Sequence, residues 1–193
     1  EKHMAFEVDP ASDGDLGRRQ PSLGEMARCA IDHLAQRPEG FALMIEGGRV
    51  DHAAHNNDAC ILAEQWAFDE ALRLALDFAG ARDDTLVIAT TDHGNANPGI
   101  SAYRAAGRSI FKRTQDIRHS FEWIVARHKA LPAPEQTAES FAALVRGATQ
   151  RTIDGDDLRF LERWLAGERV DPCIGRARDY GPLGSILTNH HGV

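Results

Sequence analysis

The sequence predicts an α/β protein with a mainly parallel sheet, followed by a helical insertion. Two short apolar runs, Phe41-Ala42-Leu43-Met44-Ile45 and Thr85-Leu86-Val87-Ile88-Ala89-Thr90-Thr91, read as fully buried strands because they are continuous rather than alternating. A long helical pattern from about Val50 to Ala79 lies between them. Strand, helix, strand is a βαβ unit, so the two strands are expected to run parallel. After residue 100 only helical periodicity remains.

Each element has its own warrant. Residues 1–20 carry Asp, Gly and Pro in quick succession and read as loop. Ser22-Leu23-Gly24-Glu25 has the spacing of a capping box. Leu23, Met26, Ala27, Ala30, Ile31 and Leu34 then recur at helical spacing, until Pro38-Glu39-Gly40 stops the pattern. In the long helical stretch, Phe68, Ala71, Leu72, Ala75, Leu76 and Ala79 share a face. Beyond residue 100, Ile117, Phe121, Ile124, Val125 and His128 make one stripe, and Phe141, Leu144, Val145 and Ala148 a second. Leu158, Leu161 and Leu165 make a third, with Pro132, Pro134 and Gly155 as punctuation. The expected organisation is an α/β core over 1–100, a helical insertion or cap over 101–182, and a return to the core over 183–193.

Composition narrows the function. At 193 residues the chain is one ordinary domain or part of a larger one. Hydrophobic residues at 42% and charged residues at 26% are those of a globular protein, which argues against a disordered chain. No apolar run approaches the roughly 18–20 residues that a membrane helix needs. The net charge of −7 argues against nucleic acid as partner, yet leaves phosphate open, because bound cations reverse the local sign of charge. Cys29, Cys60 and Cys173 form neither a disulfide framework nor a zinc-finger pattern. One bridge plus a free thiol is one reading. Buried thiols are the other, Cys29 foremost because it falls within a helical pattern. The chain opens on Glu1-Lys2-His3-Met4 and stops at His190-His191-Gly192-Val193, and both ends read as cuts through a longer protein.

The chemistry gathers where the apolar runs stop. Ligands of open α/β sheets bind outside the carboxyl ends of the strands. Glu46 follows the first run, and Asp92 and His93 follow the second. Asp51 and His55 are four residues apart, which on a helix puts a carboxylate and an imidazole on one face. Each group alone has a plainer reading: an exposed turn glutamate, a solvated helix face, an Asp-His loop. Together they make a mixed oxygen and nitrogen donor set that suits Zn2+, or Mg2+ where oxygen dominates. The set is too large for one structural zinc and has no thiolate close by, so a multinuclear catalytic centre is the sharper reading.

The string Glu46-Gly-Gly-Arg49-Val-Asp51-His52-Ala-Ala-His55, with Thr91-Asp92-His93 at this spacing, resembles the alkaline phosphatase signature. Phe68-Asp69-Glu70-Ala71, His3-Met4-Ala5-Phe6-Glu7 and Pro21-Ser22-Leu23 are similar to further segments of that family. The likeness covers residues 1–100, is weak over 101–180, and returns faintly at Leu183-Gly184-Ser185-Ile186-Leu187. It implies a three-layer α/β/α sandwich and hydrolysis of phosphate monoesters through a Ser/Thr phosphoenzyme, with two Zn2+ and one Mg2+. By the resemblance Glu46 holds Mg2+, Asp51 and His55 one Zn2+, and Asp92 and His93 the other, while His52 lies near the phosphate or the third metal. Arg49 belongs to the motif and is not the family's phosphate-clamping arginine. No residue here matches the nucleophile, so the chain is expected to supply about half of the site. A third His ligand is expected beyond Val193, with His190 and His191 read as loop surface. The resemblance further implies phosphate monoesters and inorganic phosphate as ligands, a homodimer, and a periplasmic or secreted enzyme. Two other readings stay open. Thr91-Asp92-His93-Gly94-Asn95-Ala96 also resembles the metal motif of cofactor-independent phosphoglycerate mutases, and the fragment could be an inactive metal-binding module.

Overall fold

The computed structural model describes residues 3–15, 20–94, 108–109, 112–168, 170 and 181–187. In chain order its helices are α1 (Val8–Ser12), α2 (Leu23–Leu34), α3 (Gly48–His55), α4 (Ile61–Gly80), α5 (Phe121–Lys129), α6 (Ala138–Thr149), α7 (Gly155–Leu165) and α8 (Gly181–Ile186). A single 3-10 turn, Ala133–Glu135, joins α5 to α6.

The expected parallel sheet is overturned. Among the described residues there is no strand, and the architecture is helical. Residues 41–47 and 85–91 form no ladder with one another. Their apolar side chains face outward: Met44 is 87% exposed, Leu86 81% and Ile88 76%. The physical reason is that a continuous apolar run records suitability for burial, whereas a strand exists only where lateral hydrogen-bonding neighbours flank it. No described segment supplies those neighbours. The three-layer sandwich therefore does not describe this structure.

Two further expectations change. The first residues are not all loop, because α1 begins at Val8. The pattern from Val50 to Ala79 is two helices, broken at an elbow where Asn57 takes φ 52° and the Asp58 N–H turns back to the Ala53 carbonyl at 3.0 Å. Along α4 the buried residues are Glu64, Ala71 and Leu74; of the expected face Ala71 is buried, Phe68, Leu72, Ala75 and Ala79 are half-buried, and Leu76 is exposed. The reason is α2, which lies along α4 with Ile31 beside Leu74 and Phe78.

Capping sets several helix starts. Ser22 Oγ accepts the Glu25 N–H at 3.1 Å while Glu25 returns a carboxylate oxygen to the Ser22 N–H at 2.8 Å. Thr137 and Ser140 do the same at α6. Ser120 Oγ accepts the Trp123 N–H at the head of α5.

Most of the buried apolar surface lies in the C-terminal helices. Phe121, Ile124 and Val125 of α5, Phe141 and Val145 of α6, Leu161 of α7, and Leu183, Ile186 and Leu187 at α8 form one cluster. A smaller cluster of Phe6, Ala53 and Cys60 sits under the α3–α4 elbow. Cys60 is buried, but Cys29 is exposed, contrary to the reading that placed it in a core, because it lies on the solvent side of α2. Cys173 lies outside the described residues.

Candidate metal centre

The expected ligands divide into two pairs and one lone carboxylate. Asp51 and His55 stand on α3, with His55 Nε2 3.5 Å from Asp51 Oδ2. This is the one-face placement that the four-residue spacing predicts. Asp92 and His93 follow residues 85–91, outside any helix or strand, with His93 Nε2 3.3 Å from Asp92 Oδ2. Their turn is held from within: the His93 N–H donates to Asp92 Oδ1 at 3.0 Å, and Thr91 Oγ1 donates to the His93 carbonyl at 2.8 Å. Glu46 is exposed just ahead of α3. Among the described residues no group of three or more His, Cys, Asp or Glu side chains gathers as a metal cage. His190 and His191 lie outside the described residues.

The donors nevertheless fit a divalent metal in kind. Each pair offers one carboxylate and one imidazole to solvent, with no thiolate in either, which matches zinc ligands of the catalytic type. Two donors are fewer than the three or four that zinc takes, so neither pair makes a zinc site by itself.

His52 faces a different set of neighbours. Arg49 Nη1 lies 3.0 Å from His52 Nδ1, and because arginine only donates, Nδ1 is the acceptor. His3 meets the His52 ring edge-on at 4.9 Å. Burial lowers the His52 pKa, and the Arg49 charge lowers it further, so the ring is held neutral. Arg49 Nη2 also donates to Glu122 Oε2 at 2.7 Å; the guanidinium lies 3.6 Å over the Phe6 ring, and its Nε is buried without a hydrogen-bond partner among the described residues. Both terminal nitrogens of Arg49 are thus taken by partners within this chain.

No local pattern marks the groups that support α3. Asp58, fully buried at the elbow, accepts the Phe121 N–H at 2.7 Å and the Cys60 N–H at 3.0 Å. Asp9 accepts the Ser120 N–H at 2.9 Å and the Ser120 hydroxyl at 2.7 Å, with His119 Nδ1 at 3.3 Å. Two carboxylates thus meet the N-terminus of α5, where the helix dipole favours negative charge. Burial pushes the Asp58 pKa up to about 6 against the pull of its two N–H donors. Glu64 is pushed up to about 7 by burial, against the pull of the Glu7 N–H that it accepts. Gly184 closes the arrangement from α8, since a Cβ there would lie 2.2 Å from the Asn56 carbonyl oxygen.

Comparison with known proteins adds a separate line of support. The alkaline phosphatase family model matches residues 1–151. The chain is 45% identical to alkaline phosphatase 4 of Bacillus subtilis over 89 residues, which is 46% of this chain and 19% of that one. It is 44% identical to streptomycin-6-phosphate phosphatase of Streptomyces griseus over 148 residues, 68% of this chain and 33% of the relative. The tissue-nonspecific alkaline phosphatase of Felis catus is 38% identical over 113 residues, 56% of this chain and 20% of its own length. The chain therefore spans between a fifth and a third of these relatives. The supporting residues Asp9, Arg49, Asp58 and Glu122 all fall inside the matched range, as do both ligand pairs and Glu46, and on that match the chain belongs to the alkaline phosphatase family.

Proposed function

We propose that the protein to which these residues belong hydrolyses phosphate monoesters, with two Zn2+ and one Mg2+ in its site. The observation that carries this reading is the Glu46–His55 string in a member of this family, with Asp51 and His55 side by side on α3. Asp51 and His55 would hold one zinc, Asp92 and His93 the other, and Glu46 the magnesium. When bound, the metal pair would supply positive charge to the attacking and leaving oxygens of the transferring phosphoryl group. This chain's own part is to present the two carboxylate–imidazole pairs and to keep His52 neutral beside them. The attacking hydroxyl and the arginine that clamps phosphate match no residue here, so these residues form about half of the site. A phosphorus–oxygen bond to that hydroxyl would form as the ester oxygen departs with a proton, and water would then release phosphate. Phosphate monoesters and inorganic phosphate are the proposed ligands. A homodimer and a periplasmic or secreted location rest on the family alone.

The test is an assay of the full natural protein with p-nitrophenyl phosphate before and after exhaustive chelation. Activity should vanish and return with Zn2+ and Mg2+, and Asp51→Ala and His55→Ala should each lower zinc content. Turnover that survives chelation would refute the metal reading. A substrate panel should include streptomycin-6-phosphate, after which one of the relatives is named. A 3-phosphoglycerate control that yields free phosphate rather than an isomer separates hydrolysis from mutase chemistry.

A further inference from the structure

We infer that Arg49 and Glu122 are positioning residues that set the rotation of α3, and with it the aim of Asp51 and His55; this rests on the reading of that pair as zinc ligands. Helix α3 has eight residues, and its buried side chains are Ala53 and Ala54. Two methyl groups bury the helix but give little grip against turning about its axis. Asp51 and His55 project from one face, and Arg49 and His52 from an adjoining one. Any rotation of α3 therefore moves both faces together.

Arg49 fixes the angle. Its guanidinium bonds Glu122 on α5 at 2.7 Å, bonds His52 one turn along α3 at 3.0 Å, and stacks on Phe6 at 3.6 Å. The side chain is only 14% exposed, so the charge pair is shielded on the arginine side. A planar cation held by two directional bonds and a ring has a defined orientation, which a lysine could not reproduce. Glu122 in turn belongs to a rigid end of α5, because Ser120 and Phe121 are bonded to Asp9 and Asp58. The ends of α3 are also held. Gly47 packs against Phe68, with the added-Cβ distance at 3.0 Å, and Asn56 lies against the backbone of Gly184. The C-terminal helices thus reach α3 through the Arg49–Glu122 strut and the Gly184 end contact, while α4 holds the other end through Phe68, which gives the C-terminal helices a part in aiming ligands.

The experiment uses the full natural protein and measures zinc affinity at both pairs by chelator competition, with Co2+ absorption as a second readout. Glu122 is 42% exposed, so Glu122→Ala leaves no buried hole. Glu122→Ala should weaken one of the two zincs about tenfold, the size of effect expected when the groups that orient ligands are lost. The same variant should change the Co2+ spectrum of that one site and leave the thermal midpoint of the metal-free protein near the parent's. Glu122→Gln keeps an accepting oxygen and should recover most of the affinity. Both zinc affinities staying within about twofold of the parent's, or both falling alike, would overturn the proposal, since a strut acting on α3 must be selective. Asp51→Ala runs alongside: retention of both zincs there would show the ligand reading itself to be wrong, whereas loss of one zinc there with an unaffected Glu122→Ala would sink only the strut.

Discussion

Asp51 and His55 stand on a helix held at both ends and braced across its side, whereas Asp92 and His93 stand outside any helix or strand, after a run whose Leu86 and Ile88 face solvent. The two pairs are chemically alike, one carboxylate and one imidazole each, with similar internal spacings of 3.5 and 3.3 Å. What differs is the support. Around α3 the local bonds are joined by contacts from elsewhere in the chain, at Phe6, Phe68, Glu122 and Gly184. Around Asp92 the hydrogen bonds among the described residues stay within 90–94. The contrast teaches that similar local geometry can rest on very different amounts of tertiary restraint, and that the restraint, rather than the pair, decides how well a ligand is aimed.

The largest expected consequence is in amide exchange. In the 193-residue chain, amides of 86–91 should exchange roughly a thousandfold faster than those of Ile124 to His128, because local opening of an exposed segment costs little while α5 opens only with the cluster around it. Equal protection in the two segments, read by mass spectrometry, would erase the comparison.

Next in size is Asp58→Ala. It leaves the Phe121 and Cys60 N–H groups without their acceptor in a buried elbow. A loss of about 2–4 kcal/mol is expected for two such orphaned donors, by denaturant titration. A smaller loss than that of an ordinary surface substitution, about 0.5 kcal/mol, would mean that the elbow is not what joins α5 to α3. Gly184→Ala should follow at about 1–3 kcal/mol, because its methyl would overlap the Asn56 carbonyl and one of two backbones must move. The same substitution at Gly94, where an added Cβ meets nothing, should be close to neutral and so measures the looser region.

How much of this was legible in advance follows from what kind of signal each feature leaves. The helix at Leu23–Leu34 was visible because its cap, Ser22 with Glu25, and its apolar spacing are both local. The α5 stripe was visible for the same reason, with Phe121, Ile124, Val125 and His128 all buried as the spacing implied. The ligand candidates were legible from donor chemistry and a four-residue repeat. The sheet was misread because Phe41–Ile45 and Leu86–Ala89 are apolar enough for a strand, and apolarity says nothing about who the neighbour is. The strut was invisible because Arg49 and Glu122 are 73 residues apart, and neither residue type announces a long-range partner. Asp58 was hidden differently: a lone aspartate three residues before a helix is ordinarily a local cap, and here one oxygen accepts the nearby Cys60 N–H while the other caps a helix far along the chain.

The smallest expected effect concerns the acid groups under α3. Asp58 is pushed up to about 6 and Glu64 to about 7, both chiefly by burial. The groups facing Glu64 are Glu7, Asp9 and Arg49, and those facing Asp58 are Asp9, Cys60 and the Phe121 N–H. Between the ordinary carboxylate values, 3.8 and 4.5, and these raised ones, the folded chain holds protons that the unfolded chain has released. Stability from these two groups is therefore highest at the acid end of that window and falls as pH rises toward about 7, then levels. Glu64→Gln isolates one of them. Its carbonyl oxygen can still accept the Glu7 N–H, so the fold is kept while the titration is removed. The variant should show a flatter dependence of unfolding free energy on pH over the window and a gain over the parent on its alkaline side. An unchanged slope would mean that Glu64 is ionised throughout, and that solvent reaches the underside of α3 as freely as it reaches Asp92.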